Sequence, residues 1–255
     1  MQFTFLGTGT SQGIPIIGCR CAVCQSADVR DKRLRVSGLL KVNGQTLVID
    51  CGPDFRQQML RAEVDDADAV LLTHEHNDHI IGLDDVRPLN FLHGKDMPVY
   101  ALSRVQEELR TRFAYVFAEN KYPGAPGVEL NTITPGENFF IGKTKVIPIE
   151  VMHGSLPIVG FRIRDFAYLT DVKTIAEQET GKLRDLSVLV LSALHHTEHH
   201  SHLTLTQAVE LAAHIGAKRT YFTHFSHRLG LHAETERRLP EGMYLGYDGL
   251  KIEAE

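Results

Sequence analysis

The sequence predicts an α/β fold organised as one unit over residues 1–255, and three observations carry that expectation. A length of 255 residues with no long Pro/Ser-rich linker is economically housed in one large domain. The composition, 43% hydrophobic and 23% charged, is globular. Short apolar runs closed by turn residues interleave with helix-like stretches, most clearly where Ala69-Val70-Leu71-Leu72 leads into the polar stretch Thr73–His79 and then Ile80-Ile81-Gly82-Leu83. The same features exclude several classes. No apolar run reaches the roughly eighteen residues of a spanning helix, so no membrane partner is expected. Met1–Leu6 lacks the basic start and long apolar core of a secretory signal and reads as a strand, which places the protein in the cytoplasm. Four cysteines are too few for a disulfide scaffold. A net charge of -5 gives no overall field for nucleic acid, and the sequence leaves room for a homodimer.

Thr73-His74-Glu75-His76-Asn77-Asp78-His79 offers three imidazoles and two carboxylates directly after an apolar strand. His74 and His76 are two apart, so if the strand geometry continues they share one side, which suits two nitrogens on one metal ion. Asp78 and His79 follow as the chain turns towards a helix starting near Ile80, where they are placed for a second ion. This His-x-His-x-Asp-His pattern resembles the motif of the metallo-β-lactamase superfamily. The family pattern wants further ligands downstream, and the sequence supplies His153 after Val151-Met152, Asp171 after Leu169-Thr170 and His224 after Phe222-Thr223, with Asp50 upstream after Val48-Ile49. The resemblance implies a four-layer αββα sandwich over a dinuclear centre. His74, His76, His153 and Asp171 would hold one ion, and Asp78, His79, Asp171 and His224 the other. Asp50 reads as a carboxylate that orients a ligand imidazole from behind.

Taken in order, the first strand opens into Gly7-Thr8-Gly9-Thr10-Ser11-Gln12-Gly13-Ile14-Pro15. This loop fits neither nucleotide fingerprint, because Gln12 stands where a dinucleotide motif needs its third glycine and no Gly-Lys-Ser/Thr follows. It is similar to the glycine-rich loop of the phosphodiesterase and tRNA 3'-end-processing branches of the superfamily. Cys19, Cys21 and Cys24 fall within six residues and suit one zinc, which wants a fourth ligand from elsewhere. Resemblance to the bacterial cyclic-phosphate phosphodiesterase of phosphonate degradation nominates His227 for that place. Cys51 reads as a small buried residue. Arg30-Asp31-Lys32-Arg33-Leu34-Arg35 reads as a solvated surface, with a phosphate-attracting rim as the alternative. Asn43-Gly44 is the turn expected between paired strands ending at Val42 and Ile49. A helix is expected to start at Pro53.

Met97–Ala101 is a short strand, and a helix enters around residue 104. The aromatic, turn-rich segment 113–127 reads as an active-site lid, a subunit contact or simple packing. Lys143–Val151 alternates as a strand ending at His153, Phe161–Arg164 and Phe166–Leu169 form a hairpin about Asp165, and Ser187–Leu191 is a buried strand. His195, His196, His199, His200 and His202 crowd one loop that reads as mostly solvent-facing. His202 stands apart, because it directly precedes Thr204-Leu205-Thr206-Gln207, a capping box for a helix running through His214 to Gly216. The family resemblance gives it the role of general acid, and His214 reads as structural. Arg219–Thr223 delivers His224, a short helix follows over Ala233–Leu239, and Asp248 reads as a turn residue before the last strand, in a loop that the family resemblance also places near the site.

Together these residues describe a metal-dependent hydrolase of small cyclic or linear phosphodiesters, with two active-site ions, zinc or manganese, and one structural zinc. Two cations acidify a water between them to make the nucleophile, Asp78 belongs to the reacting centre, and His202 protonates the leaving group. A thioester or other carbonyl-ester hydrolase on the same centre is the competing reading. An oxygen-reducing di-iron protein of this fold would carry Glu in place of His76, and a non-catalytic member would lack ligands.

Overall fold

Seven strands pair into each of two sheets in the computed structural model, which describes residues 1–254. The first sheet uses β1 (Gln2–Gly7), β2 (Ser37–Val42), β3 (Gln45–Ile49), β4 (Ala69–Leu71), β5 (Met97–Ala101) and β6 (Val128–Thr132). The second uses β7 (Phe139–Ile141), β8 (Thr144–His153), β9 (Leu156–Ile163), β10 (Phe166–Leu169), β11 (Val188–Ser192), β12 (Arg219–Thr223) and β13 (Met243–Leu245). β14 (Lys251–Glu253) returns to the first sheet, giving the orders β14-β1-β2-β3-β4-β5-β6 and β13-β12-β11-β10-β9-β8-β7. Helices α1 (Ala22–Gln25), α2 (Phe55–Arg61), α3 (Asn77–Ile80), α4 (Arg87–His93), α5 (Ser103–Arg112) and α6 (Ala114–Phe117) belong to the first half. The second half has α7 (Glu177–Thr180), α8 (Leu205–Ile215) and α9 (His232–Glu236).

Local sequence explains the register. Asn43 and Gly44 both take positive φ, 52° and 77°, as a two-residue hairpin turn requires, and this sets Val42 opposite Gln45 and Leu40 opposite Leu47. The sheets then pack face to face through alternate side chains: Phe3 and Phe5 from β1 meet Phe166, Tyr168 and Tyr221 from the second sheet, with Phe3 and Phe166 ring centroids 4.9 Å apart. Each such ring, fully buried, contributes about 1.5–3 kcal/mol. On the outer face of the second sheet, Leu189, Leu191 and Phe222 pack with Ala208 and Ala212 of α8, whose Thr204–Gln207 capping box is fully formed. Phe55 and Met59 of α2 and Val105 and Leu109 of α5 join the core from the first sheet's side. The result is the αββα sandwich.

Strand direction places the site. β3, β4, β5 and β6 run parallel, as do β10, β11, β12 and β13, while β8 reaches the same edge through two antiparallel steps. The residues that follow β3, β4, β10 and β12, together with the last residue of β8, therefore gather at one end of the sandwich, where open α/β sheets place ligands.

Several expected elements differ. The helix after Asp50 begins at Phe55, because Pro53 and Asp54 form the preceding turn and the Asp54 carboxylate is held by Arg35 at 3.1 Å. β4 stops at Leu71, so the motif stands on a loop, and Asp78 and His79 lie inside the short α3. The basic run is no solvated surface throughout: Asp31 and Arg33 are buried, and Arg33 donates to Thr8 Oγ1 (2.8 Å), the Gly246 carbonyl (2.7 Å) and His232 (3.0 Å) while its guanidinium covers Phe225. Asp248 is more than a turn residue, since its buried carboxylate accepts from Thr8 Oγ1 and the Leu34 amide, both at 2.7 Å. In segment 113–127, Phe113 and Val116 pack into the core and Tyr122 is exposed. His214 lies on the surface. Among the described residues no helix is long and apolar enough to cross a membrane.

Candidate metal centre

Five loops converge where the parallel strands end. His74, His76, His153 and Asp171 form one group whose ligand atoms lie within 4.8 Å of one another, and Asp78, His79 and His224 form a second. Asp171 stands between them and offers one oxygen to each. Its Oδ2 faces His74 Nε2 at 3.8 Å and His153 Nε2 at 3.9 Å, and its Oδ1 faces His224 Nε2 at 3.2 Å and His79 Nε2 at 3.5 Å. Asp78 Oδ2 completes the second group, 3.5 Å from His79 Nε2 and 3.8 Å from His224 Nε2. Ligand bonds of about 2.0–2.2 Å in tetrahedral geometry put neighbouring donors roughly 3.3–3.6 Å apart; the two 3.5 Å separations lie in that range and the other four within a few tenths of an ångström of it, close enough for the donors to draw in on a cation.

Hydrogen bonds on the far side of three of the rings, His74, His79 and His153, fix which of their atoms face inwards. Asp50, fully buried, accepts from His79 Nδ1 at 2.7 Å and from the Thr73 amide at 2.8 Å. His74 Nδ1 lies 3.0 Å from Thr73 Oγ1, which itself donates to Asp50, and His153 Nδ1 donates to the Ser201 carbonyl at 2.9 Å. With the proton on Nδ1, the Nε2 atoms of these three neutral rings direct a lone pair into the cage, where His79 Nε2 confronts the carboxylates of Asp78 and Asp171. The Nε2 atoms of His79 and His224 are buried and unpartnered among the described residues. Such an arrangement is repulsive unless a positive charge sits within it, and the donor set of imidazole and carboxylate fits divalent ions such as zinc or manganese. Protonation follows the same logic. Burial drives His79 down, but Asp78, Asp50 and Asp171 together outweigh it and hold its pKa well above the ordinary value, so without a metal a proton on Nε2 takes the place that the cation would fill. Burial opposes ionisation of Asp171 too, yet His224, His79 and His74 keep it far below the usual carboxylate range.

The backbone at this edge is unusual. Asp50, Asp171 and His224 all adopt left-handed φ, at 61°, 54° and 62°, each just beyond the end of a strand. Gly52 lets the Asp50 loop lie against the motif, since a Cβ there would fall 2.0 Å from the Asp78 carbonyl oxygen. From the opposite side α5 grips the motif: Arg104 Nε bonds Glu75 at 3.0 Å, and Arg112 donates to the Glu75 carbonyl at 2.8 Å and Asn77 Oδ1 at 2.6 Å. Thr73, Arg104 and Arg112 escape sequence reasoning, although Thr73's place at the strand end just before the motif is a usable signal.

His202 sits at the rim of the cage. Its ring stacks on that of His224 at 5.0 Å and lies tilted 4.6 Å from that of His153, and its Nδ1 lies 3.9 Å from Asp171 Oδ2. Burial pushes it down to about 3 against the pull of Asp171.

A separate cluster joins the N-terminal loop to the segment after β12. The sulfurs of Cys19, Cys21 and Cys24 lie 3.4, 3.3 and 3.7 Å from His227 Nδ1. The Cys24 amide donating to the Cys21 sulfur brings that thiol down to about 6, whereas burial raises Cys24 to about 11. Three sulfurs about one imidazole nitrogen suit a tetrahedral zinc. Total zinc per chain is expected to fall by one in Cys21→Ser, measured by elemental analysis; an unchanged count would remove this site.

A family model described as a beta-lactamase superfamily domain matches residues 45–225, which hold all seven residues of the cage. The chain belongs to the metallo-β-lactamase superfamily. Among solved structures, this superfamily member is similar to a diphosphatase of the PhnP family, with 43% identity, a TM-score of 0.93, and coverage of 100% of this chain and 98% of that one. It shares its fold with zinc-bound PqqB from Methylobacterium extorquens, at 21% identity, a TM-score of 0.80, and coverage of 99% and 100%. It is also 44% identical over 253 residues, 98% of its length and 51% of the relative's, to a Porphyromonas gingivalis protein named octanoyltransferase. To ribonuclease Z of Acaryochloris marina it is 29% identical over 169 residues, 65% of this chain and 48% of that protein. The chain thus spans about half the length of these two curated relatives.

Proposed function

We propose that this chain is a metal-dependent phosphodiesterase acting on small phosphodiesters. One observation carries the reading: a single buried carboxylate, Asp171, divides its two oxygens between two nitrogen-rich half-sites, with a histidine of a different loop at the rim. His74, His76, His153 and Asp171 would hold one divalent ion, and Asp78, His79, Asp171 and His224 would hold the other. Bound ions supply charge against the phosphoryl oxygens and an acidified water as nucleophile. The protein supplies the rest. Asp50 and Thr73 fix the ligand tautomers, Arg104 and Arg112 hold the motif loop, and His202 gives a proton to the leaving oxygen. Because burial keeps His202 neutral near pH 7 in the substrate-free site, the ring takes up its proton from solvent as substrate binds, the anionic phosphoryl group favouring the charged form.

The similarity to a PhnP-family diphosphatase over the whole chain supports phosphoryl chemistry, as does the similarity to ribonuclease Z. The name octanoyltransferase belongs to a protein about twice as long, so it does not by itself bear on this half. Acyl transfer through a side-chain thiol finds no support here: Cys51 is buried, with its thiol driven well up by burial, and the other three cysteines surround His227. A panel of cyclic diesters, linear diesters, a diphosphate diester and an octanoyl thioester, assayed on protein of measured metal content, tests the reading. Turnover of phosphorus esters and none of the thioester is expected. Turnover of the thioester alone would replace the proposal with an acyl hydrolase.

A further inference from the structure

Of the imidazoles in the cage, His224 is aimed by a different device. His74, His79 and His153 are each held from behind at Nδ1, by Thr73 Oγ1, Asp50 and the Ser201 carbonyl. His224 Nδ1 is buried too, yet it has no hydrogen-bond partner among the described residues. Its direction is therefore set by its backbone, which is left-handed at a φ of 62°. Such a conformation persists only where the surroundings over-determine it. They do so through the next residue. The Phe225 amide donates to the Thr8 carbonyl and the Phe225 carbonyl accepts from the Thr10 amide, both at 2.9 Å, which stitches the His224 segment to the glycine-rich loop. Arg33 closes over this seam. Its guanidinium carbon lies 4.5 Å from the Phe225 ring centroid, and it donates at 2.8 Å to Thr8 Oγ1, whose own proton goes to Asp248. Its remaining bonds, to the Gly246 carbonyl and His232 Nδ1, fix the plane of the fork. Gly9 lets the Arg33 segment come this close, since a Cβ there would sit 3.0 Å from the Arg33 and Leu34 carbonyl oxygens.

We infer that Arg33 is a positioning residue for one half-site: by pinning Thr8 and the Phe225 ring it fixes the backbone that aims His224 at the ion that Asp78, His79 and Asp171 would share. The inference rests on the metal centre of the phosphodiesterase reading. A residue that merely supported folding would loosen both half-sites. Arg33 bears on one of them, because His74, His76 and His153 stand on loops that none of its bonds reaches.

The test titrates metal-free protein with manganese(II), which thiolate clusters take poorly, and reads the affinities of the two cage ions by calorimetry. Arg33→Lys keeps the charge, but a point ammonium cannot cover the Phe225 ring while bonding Thr8, Gly246 and His232 in one plane. One affinity is expected to fall about tenfold to a hundredfold, the usual cost of losing a group that orients a ligand, and the other about twofold or less. Thr8→Val, which breaks the same brace at its far end, should reproduce the loss, and Thr8→Ser should restore the affinity; this pair carries the test if Arg33→Lys does not fold. A double-mutant cycle identifies the half-site. In His224→Asn, where the imidazole is already gone, Arg33→Lys should cost about twofold or less, whereas in His153→Ala it should keep its full cost. Equal losses of both affinities, no loss of either, or a full loss persisting in His224→Asn would overturn the assignment. No manganese bound by the unsubstituted protein would overturn it together with the metal centre. Two ions bound without turnover of any phosphodiester would sink the phosphodiesterase reading alone, and the affinities would still decide the role of Arg33.

Discussion

Asp171→Asn is expected to lower kcat/KM for any phosphodiester substrate by about 10³-fold or more and to reduce the bound active-site metal. Asparagine has nearly the same volume and tolerates the left-handed backbone that Asp171 adopts, so the fold should survive. The charge is what disappears. Both half-sites draw on this one side chain, each through a different oxygen, and an amide offers one weaker oxygen and an N–H that opposes a cation. Several kcal/mol of transition-state stabilisation depend on cations held this way, and each 1.36 kcal/mol is about tenfold in rate. Elemental analysis together with kcat/KM at saturating metal checks it. A variant that kept two ions and a tenth of the activity would show that the carboxylate is not shared.

His202→Ala carries the second large effect, and it depends on the leaving group. An alkoxide leaves poorly without a proton, so an alkyl diester should lose roughly 10²–10⁴-fold in kcat, the usual range for a positioned acid. A p-nitrophenyl ester, whose leaving group needs no acid, should lose about tenfold or less. The pH profile adds an independent reading. The acid must be protonated, so the alkyl reaction should decline as pH rises through the His202 pKa in the substrate complex, and that limb should be absent with the aryl ester and in the variant. Burial holds this ring at about 3 in the free site, so a limb near neutrality would report how far bound phosphate raises it. Equal losses on both esters would reassign His202 to a structural place.

How much of this was legible in the residues depended on the distance over which each feature is written. The strands before His153 and His224, the Asn43-Gly44 hairpin and the Thr204–Gln207 capping box are local patterns, and the structure forms each of them. Motif order brought the cage residues into view, but their convergence belongs to parallel strand ends, which no periodicity records. Proline 53 misled because a preferred first helical residue also suits the turn before a helix, and the Asp54 carboxylate was needed by Arg35. Arg33 misled more: within Arg30–Arg35 it looks like surface charge, yet its partners Gly246 and His232 lie about two hundred residues away. Such a tie has no signature in a single chain.

The left-handed backbone at Asp50, Asp171 and His224 carries a practical warning. Conformations of this kind cost an L-residue about 1–3 kcal/mol each, and here the cost is accepted to aim three side chains at one point. Substituting any of the three with a residue at ease in that conformation recovers part of it. In metal-free protein, Asp171→Asn and His224→Asn will therefore melt much as the parent does, and a heat-resistance screen run without metal would give no sign that activity had been lost.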